Sequence, residues 1–141
     1  LNEYYFETMH HEFAHILHQK KNYPTEYNQI SAADYSSTGW QNRTEQQAWK
    51  LGFVTPYAGM EPQEDFVEVI ANYLVKPDGF WENMLANAGT EGATKIQTKF
   101  DMVKEWLMTA WNIDIDELRT IIIRRSGDID SILNEKIAYN E

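Results

Sequence analysis

Hydrophobic positions along the chain recur mostly at intervals of three and four, the spacing of one face of a helix. Residues 3 to 19 carry Tyr5, Phe6, Met9, Phe13, Ile16 and Leu17 at that spacing, which predicts a helix with these side chains as its core face. Residues 22 to 42, rich in Asn, Ser, Thr and Gly, break the pattern and read as a long functional or mobile loop. A short helix is expected over 44 to 51, ended by Gly52, and the segment Phe53 to Met60 reads as an irregular connection. Pro62 suits the first turn of a helix. That helix should run over 62 to 75, burying Phe66, Val69, Ile70, Tyr73 and Leu74 and stopping before Pro77. Beyond it, a short helix closes at Gly89, and Ile96, Phe100, Val103, Leu107, Ala110 and Trp111 mark a longer one. Two last helices are expected over 116 to 125 and 130 to 138. Strand signal is slight and no internal repeat is visible, so the expected fold class is mainly α.

Composition narrows the function. With 141 residues, 43% of them hydrophobic and 13% aromatic, one domain spanning 1–141 is expected. A net charge of -10, with 12 scattered basic residues, argues against nucleic acid and anionic membrane as partners. Cysteine is absent, so a metal would have to sit on His, Asp or Glu. Nothing resembles a signal peptide or a membrane span, the longest strongly apolar run being Ile121 to Ile123.

Against that background one segment stands out. All four histidines fall within HHEFAHILHQ, residues 10 to 19. At about 100° per residue, His11, His15 and His18 share the face opposite the apolar stripe. His11, Glu12 and His15 form an HExxH, and histidines four apart project from adjacent turns about 6 Å apart along the axis, so both imidazoles can reach one zinc. Glu12 would then reach a water on that zinc and take its proton as a carbonyl is attacked. The plainer alternative is an amphipathic helix whose polar face is rich in histidine. His18, nearly two turns from His11, reads as cleft lining or a hydrogen-bonding group rather than a ligand. His10, pointing about 100° away from His11, reads as a structural or surface residue.

A catalytic zinc needs a third protein ligand. The HExxHxxGxxH continuation is excluded, because His18 stands at the glycine position and Lys21 at the last histidine. The helix opening PQEDFVEVIANYL offers Glu64, Asp65 and Glu68 instead. Glu64 and Glu68 lie roughly 40° apart on a face opposite the apolar one, so either could bind the metal while the other accepts the N–H of a liganding imidazole. Asp65 reads as a first-turn acid favoured by the helix dipole. Trp106, Trp111 and Phe100 are most simply core, whereas Trp40, Trp49 and Trp81 could border a cleft.

HHEFAHILHQ followed by TPYAGMEPQEDFVE resembles the zinc-binding metallopeptidases of Bacteroidetes, lipoproteins associated with outer-membrane import systems of the starch-utilization type. The arrangement is also similar to gluzincins, with HExxH, then a tyrosine, then ExxxE. The likeness runs from His10 to about Tyr73. It implies a zinc held by His11, His15 and Glu64, with Glu68 supporting a liganding histidine. It also implies Glu12 as general base and Tyr57 as the phenol that stabilises the oxyanion, with a peptide or protein as substrate. Periplasmic or outer-membrane location, and an import complex as partner, are implied in the same way. Zincins place a sheet before the HExxH helix, and only ten residues precede His11. Together with Leu1 in place of an initiating Met, this leads us to expect the multi-helical C-terminal part of a larger gluzincin-like domain, its sheet absent or vestigial. The competing expectation is a zinc-stabilised accessory or binding module without turnover. Glu12 favours the enzyme, because a structural zinc has no use for a base.

Overall fold

The helix that opens at Pro62 became the centre of the molecule. A computed structural model of the chain describes residues 3–140, with side chains through residue 138. Its helices are α1 (Glu3–Lys20), α2 (Tyr27–Ile30), α3 (Glu45–Lys50), α4 (Pro62–Val75), α5 (Phe80–Asn87), α6 (Gly89–Trp111) and α7 (Ile115–Asn140), with 3-10 turns at Trp40–Asn42 and Tyr57–Gly59. Among the described residues there is no β-strand, in keeping with the expected mainly α class, and no helix is long and apolar enough to cross a membrane.

α4 is enclosed on nearly every side, burying Phe66, Val67, Val69, Ile70, Ala71 and Leu74. α1 packs along one flank, and α6 and α7 along the others. Local signals set the shorter elements. Thr44 caps α3 through the Gln47 N–H, and the Gln47 side chain accepts from the Thr44 N–H in return. Gly52, at φ +90°, takes the left-handed conformation that ends this helix. Asn112 does the same for α6 at φ 54°. Asp114 then opens α7 by accepting from the N–H groups of Asp116 and Glu117.

Four expectations are overturned. The apolar stripe of α1 is not its core face: Met9, Phe13 and Ile16 are 44%, 51% and 49% exposed, and Tyr5 is exposed as well. Of the expected stripe Leu17 is packed, at 8% exposure, together with Ala14 and His18, because the histidine face meets α4 and small Ala14 lets the two helices approach. Secondly, the chain from 115 to 140 is one helix rather than two. Gly127 costs about 1 kcal/mol in a helix interior, but no proline or cap is present to end it. Thirdly, the 22–42 segment is not loop throughout: it carries α2 and the Trp40–Asn42 turn, with Tyr27 fully buried and Ser31 at 1% exposure. Lastly, Trp49 is core, its indole N–H donating to the Val54 carbonyl at 3.1 Å, and Trp81 packs on Tyr73 and Phe100. Of the three tryptophans expected near a cleft, Trp40 lines the cavity beside the histidines and Trp81 borders a separate cavity of about 230 Å³.

Asp65 also departs from its expected role. It is completely buried, 2.8 Å from Lys99 Nζ on α6, and accepts from the phenols of Tyr35 at 2.6 Å and Tyr27 at 3.2 Å. Lys99 is buried too, donating to Ser31 Oγ and the Gly52 carbonyl and standing 4.5 Å over the Phe53 ring. Burial pushes the Asp65 carboxyl up and the Lys99 amine down, each opposed by the other's charge. The pair ties α4 to α6 and to the loop around α2. It thereby fixes the rotation of the helix that carries Glu64 and Glu68.

Candidate metal centre

The inverted packing of α1 has a direct chemical result: the histidines point into the α1–α4 seam. His11 Nε2 lies 2.9 Å from Glu64 Oε2. His15 Nε2 lies 3.2 Å from each oxygen of the same carboxylate. One ligand atom from each of His11, His15 and Glu64 falls within 4.8 Å of the others. Two imidazole nitrogens and one carboxylate oxygen, converging from two rigid helices, form the His2Glu donor set that suits zinc, so the residues fit the metal expected from the sequence.

Each imidazole is held from behind through Nδ1. His11 Nδ1 is 3.0 Å from Glu68 Oε2, and the other oxygen of Glu68 accepts from the Thr55 hydroxyl at 2.8 Å. Thr55 accepts in turn from the Ala58 N–H, so the turn before α4 orients the carboxylate that orients the ring. His15 Nδ1 is 2.9 Å from His18 Nε2. Burial draws His11 down, but the Glu68 hydrogen bond and the surrounding carboxylates outweigh it and the net shift is upward. For His18, burial and then the neighbouring His15 lower the pKa.

Beside the histidines opens a cavity of about 440 Å³ lined in part by Tyr4, His11, Glu12, Trp40, Tyr57 and Glu68. Glu12 is exposed at its edge. Tyr57, on the 3-10 turn, has its ring centroid 5.9 Å from that of His11 and is met edge-on by Trp40 at 5.0 Å. Burial, then the charge of Glu64 and a hydrogen bond to it, raise the Tyr57 pKa above its usual value, so the phenol keeps its proton at neutral pH. The structure thus brings together His11, Glu12, His15, Tyr57, Glu64 and Glu68. His10 stands apart from the cluster, half-buried and lowered in pKa by that burial. Thr55 was missed by the sequence reading, for no motif marks a threonine whose work is to orient a distant glutamate.

Residues 1–116 match the family described as "Putative zinc-binding metallo-peptidase". The chain belongs to this family. A solved structure described in the same words, from Bacteroides caccae, shares 53% identity with a TM-score of 0.88, over 92% of this chain and 49% of that one. The chain therefore spans about half the length of that relative. None of the curated proteins matches. The family match takes in α1 to α6 and the start of α7, so all six residues gathered at the seam lie within it.

Proposed function

We propose that the chain carries the zinc site of a metallopeptidase that hydrolyses peptide or amide bonds, with His11, His15 and Glu64 as ligands. The observation that carries this reading is the convergence of His11 Nε2 and His15 Nε2 on one carboxylate, Glu64. When bound, zinc supplies a Lewis acid that polarises the scissile carbonyl and makes water acidic enough to attack near neutral pH. Glu12, one residue from the first ligand and open to the cavity, accepts the proton of the attacking water and returns it to the leaving amine. Tyr57, protonated and at the cavity edge, donates to the oxygen that gains negative charge. Glu68 and Thr55 hold the His11 ring so that its Nε2 lone pair faces inward. The substrate is a peptide or protein, in line with the family, and a periplasmic or outer-membrane-anchored setting beside an import system is supported by the resemblance of its motifs.

Zinc analysis and peptide hydrolysis by the full-length protein test this reading together. About one zinc per chain is expected, lost in His11→Ala and His15→Ala. Glu12→Gln should keep the metal and lose about 10²- to 10⁴-fold in turnover. Full zinc occupancy in both histidine variants, or undiminished turnover by Glu12→Gln, would overturn it.

A further inference from the structure

The two imidazoles of the seam are supported in different ways. His11 has a carboxylate behind it, whereas the hydrogen-bond partner of His15 Nδ1 is another imidazole. We infer that His18 is the positioning residue for His15, acting as a neutral hydrogen-bond acceptor that fixes the tautomer and orientation in which His15 offers Nε2 to the metal. The inference rests on the metal-site reading proposed above and extends it to a third histidine.

A neutral imidazole has one N–H and one lone pair. If His15 Nε2 gives its lone pair to a metal, the ring proton must sit on Nδ1, and that N–H needs an acceptor in a place where water has little access. His18 Nε2, 2.9 Å away, can accept only if the His18 proton is on Nδ1. The reverse arrangement, with His18 donating to His15 Nδ1, would put the His15 proton on Nε2 and remove the ligand atom. Ligation therefore selects one tautomer for both rings.

His18 is built to stay in that place. It is 6% exposed, and the edges and faces of Tyr23 and Phe66 confine its ring at centroid distances of 5.7 and 6.3 Å. Tyr23 itself is stacked on Phe66 at 4.3 Å and anchored by its hydroxyl to Asn28. The three-residue spacing puts His15 and His18 on one face of the same rigid helix. Both members of the pair thus share a frame with His11, and the loop around Tyr23 closes the back of the site.

The test is zinc competition titration on the full-length protein in three forms: wild type, His18→Leu, which keeps side-chain bulk without an acceptor, and His18→Gln, whose side-chain carbonyl can accept. Melting of each metal-free form, in chelator, reports the packing role separately. His18→Leu should bind zinc about 10- to 100-fold more weakly, the usual loss when the partner of a liganding histidine is removed, and His18→Gln should recover most of that loss. A cobalt-loaded His18→Leu should show a changed visible absorption spectrum, a response that packing alone would not produce in a folded chain. Wild-type affinity in His18→Leu would overturn the positioning role while leaving the metal site intact. Equal weakening in both variants would overturn the acceptor role. Failure of the wild-type protein to bind zinc would instead remove the metal-site reading on which the inference rests.

Discussion

Replacing Lys99 with methionine keeps a long unbranched side chain and removes only the charge, which isolates the buried ion pair as a cause of stability. The amine makes three contacts with partners that water cannot replace: Asp65 Oδ2 at 2.8 Å, Ser31 Oγ at 2.8 Å and the Gly52 carbonyl at 2.7 Å. Without it, Asp65 stays completely buried with two phenols as its remaining partners. Breaking a buried pair from one side costs about 3–5 kcal/mol, because the other charge is left uncompensated. That is a large fraction of the 5–15 kcal/mol, roughly, by which such domains are stable. With a urea slope of about 2 kcal/mol per M, the unfolding midpoint of Lys99→Met should fall by roughly 1.5–2.5 M. The titration belongs in chelator, so that metal binding does not contribute to the folded state. Adding Asp65→Asn removes the stranded charge while keeping an acceptor for the tyrosines, so the double variant should be more stable than Lys99→Met alone. A loss within about 1 kcal/mol for Lys99→Met, the size of an ordinary substitution, would refute the reasoning. So would a double variant in which the two losses simply add.

A Cβ at Gly92 would lie 2.3 Å from the Trp49 carbonyl oxygen and 2.9 Å from Lys50 Cα, both backbone atoms, so Gly92→Ala should lower stability by about 1–3 kcal/mol; an unchanged urea midpoint would show that α3 and α6 can separate freely. The Lys104 and Tyr73 hydrogen bonds hold the Asp116 carboxyl below its usual pKa, so its contribution is complete above the unfolded value of about 3.9 and is lost as pH falls through the lower folded value. The stability difference between wild type and Asp116→Asn should therefore shrink on acidification below about pH 4, and a difference that stays constant down to about pH 2 would contradict this.

The parts of the molecule that could be read in the sequence are those set by neighbours in the chain. The limits of α4, the capped α3 and the glycine stop at Gly52 follow from residues within one or two turns. So does the pairing of His11 with His15, because four residues of helix fix their separation whatever surrounds them. The side of α1 that would be covered did not follow. Periodicity shows that Tyr5, Met9, Phe13 and Ile16 form a stripe, but what a stripe faces depends on elements elsewhere. Here α4 meets the opposite side, where Ala14 packs and the histidines find carboxylates, and Leu17 at the stripe's edge is buried with them. The expected break near Gly127 failed for a related reason: a glycine weakens a helix without ending one unless a cap or a proline completes the stop.

Asp65 shows most clearly where local reasoning ends. As a first-turn acid it satisfied a sufficient local rule, the helix dipole, and nothing nearby in sequence hinted at a lysine on α6, two tyrosines from the preceding loop, or full burial. Yet this buried pair sets the angle at which α4 presents its two neighbouring glutamates to α1. Glu64 and Glu68 flank Asp65 in the sequence, so a rotation of α4 large enough to release Asp65 from Lys99 would also carry both carboxylates away from His11 and His15. The motif supplies the reactive groups from short-range spacing. The precision of their meeting comes from contacts that span the chain, Asp65 with Lys99, Glu68 with Thr55 and Lys99 with Ser31. A mutation at Lys99 should accordingly disturb the geometry of a site it does not touch.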